Sequence, residues 1–271
     1  QQYVISVLYL HWVLDCVILV TKVNFRRGLM VKFQIKTEFN VGIAWLWVKS
    51  SFLVFREKPI NFMYFGMMYV FMSFLPFLGS FFATAVAMRI LMTSAYIGNN
   101  EPVGIKLSLP MILRQKNIFT FAIFNTGVDL ILVSVISELM KSQGVDPSSA
   151  AMLEFTPQLA YILIGASIFK ALFYGISPAI ILFNHELGIW HALRLSWTFI
   201  IGNISVIFFA VLLLGAFLLI PLYLFTMLAL VVSNVVVFSI CFFIMIIIAL
   251  LAIVISNIFV YNLYATGIVR G

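Results

Sequence analysis

Polar and apolar positions along this chain do not alternate. The apolar ones run together, in stretches closed by turns. Such runs fall at about 60–76, 79–98, 117–137, 157–182, 200–220 and 238–262. A helix crossing a bilayer needs about 20 predominantly apolar residues, so each run predicts a spanning helix. The breaks agree. Pro76-Phe-Leu-Gly79 is an uncharged turn, Asn99-Asn-Glu-Pro102 a polar one, and residues 138–154 a hydrophilic loop with Glu138, Asp146 and Glu154 against Lys141. Pro178 falls inside the fourth run, where it kinks the helix unless neighbours satisfy the carbonyl it frees. Pro221 meets the end of the fifth, leaving 222–237 either to continue one helix or to form a tight apolar turn.

The runs come in pairs, and each pair follows an amphipathic segment. Residues 40–56 carry Trp45, Trp47, Phe52 and Phe55 with Lys49 and Arg56, and Lys58-Pro59 then opens the first run. Aromatics among cations suit the headgroup level, which predicts an interfacial helix. Pro59 fits a first helical turn, where its missing N–H costs nothing. A second segment, near 104–115, places Arg114 and Lys116 where the first has Arg56 and Lys58. A weaker third copy starts at Gly188-Ile-Trp190, carries Arg194 and ends at Gly202-Asn203-Ile204. The expected fold is all-α: six transmembrane helices as three hairpins, each preceded by an amphipathic interfacial helix. The repeat units are about 40–100, 101–184 and 185–268, within one transmembrane domain over 40–271.

Residues 1–39 stand outside this scheme. The apolar run 3–20 is interrupted by His11 and Asp15, lacks a basic segment before it and a small-residue cleavage site after it, and so reads poorly as a secretory signal. Met30 would make a natural start, which marks 1–29 as an upstream extension. The alternative is a seventh helix held by Lys22, Arg26 and Arg27.

Composition closes other classes. The 271 residues are 64% hydrophobic and 9% charged, whereas soluble domains carry roughly 25% charge. Too little charge remains to cover a soluble surface. The net charge of +7 is not a nucleic-acid signal, because Lys32, Lys36, Lys49, Arg56, Lys58, Lys106, Arg114, Lys116 and Arg194 all precede the first, third or fifth run. The connections after the first and fifth runs carry no charge, and that after the third is acidic. Cytoplasmic loops are enriched in Lys and Arg, so both termini and all three leading segments are expected in the cytoplasm, with anionic lipid headgroups as their partners.

Motifs for chemistry are missing. There is no P-loop, His-Glu-x-x-His, nucleophile elbow or Cys-x-x-Cys. His185 and His191, six apart beside Glu186, match one helical face poorly and read as interfacial. Cys16 and Cys241 lie far apart in apolar surroundings and read as small buried hydrophobes. No cofactor or metal is expected. Three ionisable residues fall inside the runs: Arg89, Asp129 and Lys170. A charge at the centre of a spanning helix costs about 3 kcal/mol, so each needs a partner. Asp129 and Lys170 lie at comparable depth in consecutive runs, as either a packing pair or a polar relay or ligand site. Arg89 is near enough to the cytoplasmic end to snorkel. Gly165-Ala-Ser167, Gly175 and Asn125-Thr-Gly127 predict close approach of the third and fourth runs.

Trp45, then Phe55-Arg-Glu-Lys-Pro59, Leu75-Pro-Phe-Leu-Gly79, Ser177-Pro-Ala179 and the run from His191-Ala-Leu-Arg-Leu-Ser196 to Asn203 resemble a family of uncharacterised bacterial six-span inner-membrane proteins. More remotely, they are similar to the membrane domain attached to some glycerophosphodiester phosphodiesterases. The resemblance covers about residues 40–268 and implies a bacterial inner membrane, with no catalytic residues carried over. The expected function is non-enzymatic: an envelope-organising or accessory protein, or alternatively a small transporter or lipid-handling protein with a polar site inside the bundle.

Overall fold

A computed structural model describes residues 33–36, 39–75, 78–101, 112, 114–142, 157–184, 186–231 and 235–270. The segment 1–32, most of the second leading segment and most of the acidic loop lie outside these residues. Two units divide the chain, one of residues 35–268 and one of 1–34 with 269–271. What is described of the smaller unit belongs to two three-residue strands, β1 (Phe33–Ile35) and β2 (Ile268–Arg270), which pair.

The larger unit is helical. Its described helices are α1 (Gly42–Glu57), α2 (Pro59–Ser73), α3 (Gly79–Gly98), α4 (Lys116–Ser142), α5 (Pro157–Tyr174), α6 (Ser177–Phe183), α7 (Ile189–Gly202), α8 (Ile204–Val231) and α9 (Val235–Gly267). Four are long and apolar enough to cross a membrane: α3, α4 over Lys116–Leu139, α8 over Ile204–Leu228 and α9 over Val236–Gly267. The chain is a helical membrane protein. Ile220, Leu224, Phe238, Phe243 and Ile247 lie open on α8 and α9, an arrangement suited to acyl chains rather than water.

Two expected spans differ. The first, α2, has 15 residues, about 22 Å at 1.5 Å per residue against a hydrocarbon core of about 30 Å. The fourth is divided at Gly175 into α5 and α6. At the other extreme, α8 runs straight through Pro221 for 28 residues and α9 for 33, about 42 and 50 Å long.

Helix α9 is the hub, packing on α1, α2, α3, α6 and α8. Its approach to α2 depends on Gly66, where a Cβ would stand 3.1 Å from Val254 Cγ2 and 3.4 Å from the Leu250 carbonyl. Helix α1 lies against α8 and α9 with Ala44, Trp47, Val48 and Ser51 buried. Trp47, expected as a headgroup anchor, points inward instead: it is 2% exposed and its indole N–H donates to Thr266 Oγ1 at 2.8 Å. Asn262 Nδ2 donates to Ser51 Oγ at 2.9 Å. In apolar surroundings an indole N–H or a carboxamide must find a partner, and these two contacts pin α1 to α9. The other expected anchors, Trp45, Lys49, Arg56, Lys58, Arg114, Lys116 and Arg194, are exposed.

Candidate functional site

The polar residues that matter come from facing ladders on α3 and α4. Ser80 and Thr84 are four apart on α3, as are Asn125 and Asp129 on α4, so each pair shares one helix face. Asn125 Nδ2 donates to Thr84 Oγ1 at 2.7 Å and to Ser80 Oγ at 3.0 Å. Thr84 in turn donates to the Ser80 carbonyl at 2.7 Å, and Ser80 Oγ donates to Asp129 Oδ2. From α5, Lys170 Nζ closes the set at 2.7 Å from Asp129 Oδ1. Three helices are thus joined through one carboxylate. Ser80 lies in the first turn of α3, whose partial positive charge also favours an anion beside it.

The pair is not sealed. The Lys170 side chain is 39% exposed and that of Asp129 23%. Aromatic rings line the inner side: Tyr174 lies 5.6 Å from Phe121 and 6.4 Å from Phe124, centroid to centroid. Lys170 Nζ sits 6.0 Å from the centre of the Tyr174 ring. Tyr174 is buried, and among the described residues its hydroxyl has no hydrogen-bond partner.

The level of the site follows from helix register. Ser80 marks the start of α3, immediately after the α2–α3 turn, yet its partner Asp129 lies midway along α4. Helix α4 continues from Asp129 to Ser142, about 20 Å further. On that stretch Leu130, Ile131, Val133, Val135 and Leu139 are exposed. The polar cluster therefore lies at the end of a short hairpin and beside the middle of a long helix.

Behind it, the break between α5 and α6 is built into the sequence. Pro178 cannot donate to the Tyr174 carbonyl four residues earlier, and Gly175 takes a positive φ of 46°, a conformation that suits glycine. Helix α7 supplies what the backbone lost. Ser196 Oγ donates to the Tyr174 carbonyl at 3.1 Å and accepts from the Ile176 N–H at 2.9 Å, while Trp197 Nε1 donates to the Phe173 carbonyl at 2.9 Å. Neighbouring groups thus satisfy the freed carbonyls, the condition for a broken helix at membrane depth. Pro178 itself falls in the first turn of α6, where it is tolerated.

The structure brings Asp129 and Lys170 together and leaves Arg89 elsewhere, on α3 over the Phe65 ring at 5.7 Å. The expected close approach of α4 and α5 through glycines is corrected: a Cβ at Gly127 or Gly165 would meet nothing within 4 Å, whereas one at Gly175 would collide with Ile200 and the Ser196 hydroxyl of α7. Among the described residues no three His, Cys, Asp or Glu side chains converge to hold a metal. Ser80 and Thr84 escaped the sequence reading. Their signal was the four-residue spacing of hydroxyls in an apolar run, matched by the same spacing of Asn125 and Asp129 in the next.

Comparison with protein-family models, curated proteins and solved structures finds no match for this chain.

Proposed function

We propose that this is a multi-pass protein of a bacterial inner membrane that handles an amphiphile at the α3–α4–α5 site, without catalysis of its own. Six apolar segments form three hairpins, each led from the cytoplasmic side by a basic segment, with both termini cytoplasmic. The family resemblance of residues 40–268 supports that placement. The observation that carries the functional reading is the partial exposure of Asp129 and Lys170: a charge pair that only clamps helices gains nothing from lying open at membrane depth, where charge is expensive.

A second reading, an accessory protein that organises envelope components, draws on a different observation. Asp129 already holds Lys170 and Ser80, as a purely structural clamp would. Lipid and metabolite profiling of a deletion strain decides between them. A shift in one lipid or amphiphile pool, restored by the wild-type gene and not by a Lys170→Met gene, is expected for amphiphile handling; unchanged pools refute it.

A further inference from the structure

The site leaves hydrogen-bond donors unused. Lys170 Nζ has three N–H donors, and among the described residues its hydrogen-bonded contact is with Asp129 Oδ1. The Tyr174 hydroxyl is a further donor, without a partner among the described residues, in a residue only 6% exposed. The carboxylate and hydroxyl oxygens each have a partner already. Asp129 Oδ1 receives Lys170 and Oδ2 receives Ser80, and the Ser80 and Thr84 hydroxyl oxygens both receive Asn125. The Asp129 charge is also offset by the first turn of α3, so it neutralises Lys170 only in part. Donors facing low-dielectric surroundings without acceptors are costly.

From this we propose that the site binds a phosphate-bearing lipid headgroup, with Lys170 and Tyr174 donating to its non-bridging oxygens. The inference rests on the amphiphile reading above and adds the headgroup chemistry. The surroundings supply the remainder of an amphiphile's shape. The outer part of α4 presents exposed Leu130, Ile131, Val133 and Val135 beyond the site, a surface for acyl chains, while Phe121 and Phe124 back Tyr174. Lys170 Nζ stands 6.0 Å from the centre of the Tyr174 ring, and on its long, flexible stem it is the part that can shift to admit a headgroup.

Native mass spectrometry of the purified full chain, titrated separately with phosphatidylglycerol, with diacylglycerol of the same chains and with inorganic phosphate, tests this. The expected result is retention of phosphatidylglycerol about tenfold over diacylglycerol, a loss of about tenfold in Tyr174→Phe, and a greater loss in Lys170→Met. Tyr174→Phe removes only a buried hydroxyl without a partner among the described residues, so its melting temperature stays at or above the wild-type value and separates binding from folding. Equal retention of the two lipids, or an unchanged Tyr174→Phe, overturns the phosphate assignment while leaving amphiphile handling in place. Retention of neither lipid overturns both. Displacement of bound phosphatidylglycerol by millimolar inorganic phosphate overturns the lipid source and assigns the site to a soluble phosphate.

Discussion

Removing Asp129 should cost more than removing Lys170, and removing both should cost less than the sum. In Asp129→Ala the Lys170 ammonium remains at membrane depth with no counter-charge, and Ser80 loses its acceptor. Breaking a fully buried pair costs about 3–5 kcal/mol; the 39% and 23% exposure of the two side chains places this pair at the lower end, about 3 kcal/mol. In Lys170→Met the carboxylate keeps Ser80 and the first turn of α3, and the thioether replaces the apolar stem, so the loss is about 2 kcal/mol. The double variant leaves no unpaired charge. Its loss should be about 3 kcal/mol rather than the 5 of simple addition, a coupling of about 2 kcal/mol. Steric-trapping or thermal-unfolding measurements on the purified protein in one fixed detergent give the three differences. A double variant whose loss equals the sum of the singles within about 0.5 kcal/mol refutes the pairing as an energetic unit.

Other perturbations test other contacts. Ser196→Ala orphans the Tyr174 carbonyl and the Ile176 N–H together and should cost about 2–4 kcal/mol, with faster amide exchange at Ile176; exchange unchanged there would show that α7 does not hold the break. Gly66→Leu should force α2 away from Leu250 and Val254 and lower the melting temperature, whereas Gly66→Ala, whose Cβ needs a shift of a few tenths of an ångström, should do so far less; equal melting of the two variants would contradict the close approach. Trp47→Phe loses the bond to Thr266 and leaves a cavity where the second ring of the buried indole stood, a loss of about 2 kcal/mol read from the same melts. Arg56→Glu combined with Lys58→Glu should disturb orientation in reporter fusions placed after each hairpin, and wild-type topology in that variant would remove the basis for a cytoplasmic leading segment.

The Asp129–Lys170 contact was legible because membrane depth is itself a coordinate: two charges midway along consecutive apolar runs come level with each other, and hydrocarbon gives both a reason to meet. Ser80 and Thr84 were harder to see, since hydroxyls in membrane helices commonly bond their own backbone four residues back, as Ser94 does to Ile90. Trp47 was misread for a related reason. A tryptophan two residues from a cation looks the same whether it faces headgroups or protein, and the partner that decides it, Thr266, is 219 positions away. The break at Gly175 was legible as a proline problem, but its solution was not, because Ser196 and Trp197 sit on a helix that local sequence alone does not place against it. The extra length at the C-terminal end of α9 is where Asn262 and Thr266 meet α1, contacts that no cap in the sequence announces.

The contrast between α2 and the α8–α9 pair has a consequence for the lipid around the protein. A flank of about 22 Å and one of about 42–50 Å cannot both match a hydrocarbon layer of one thickness. Were α2 to span, the bilayer would have to thin beside it and thicken, or let the long helices lean, beside α8 and α9, at a fraction of a kcal/mol for each ångström of mismatch. The annulus would then be graded, with shorter or more disordered chains preferred beside α2 and longer ones beside α8 and α9.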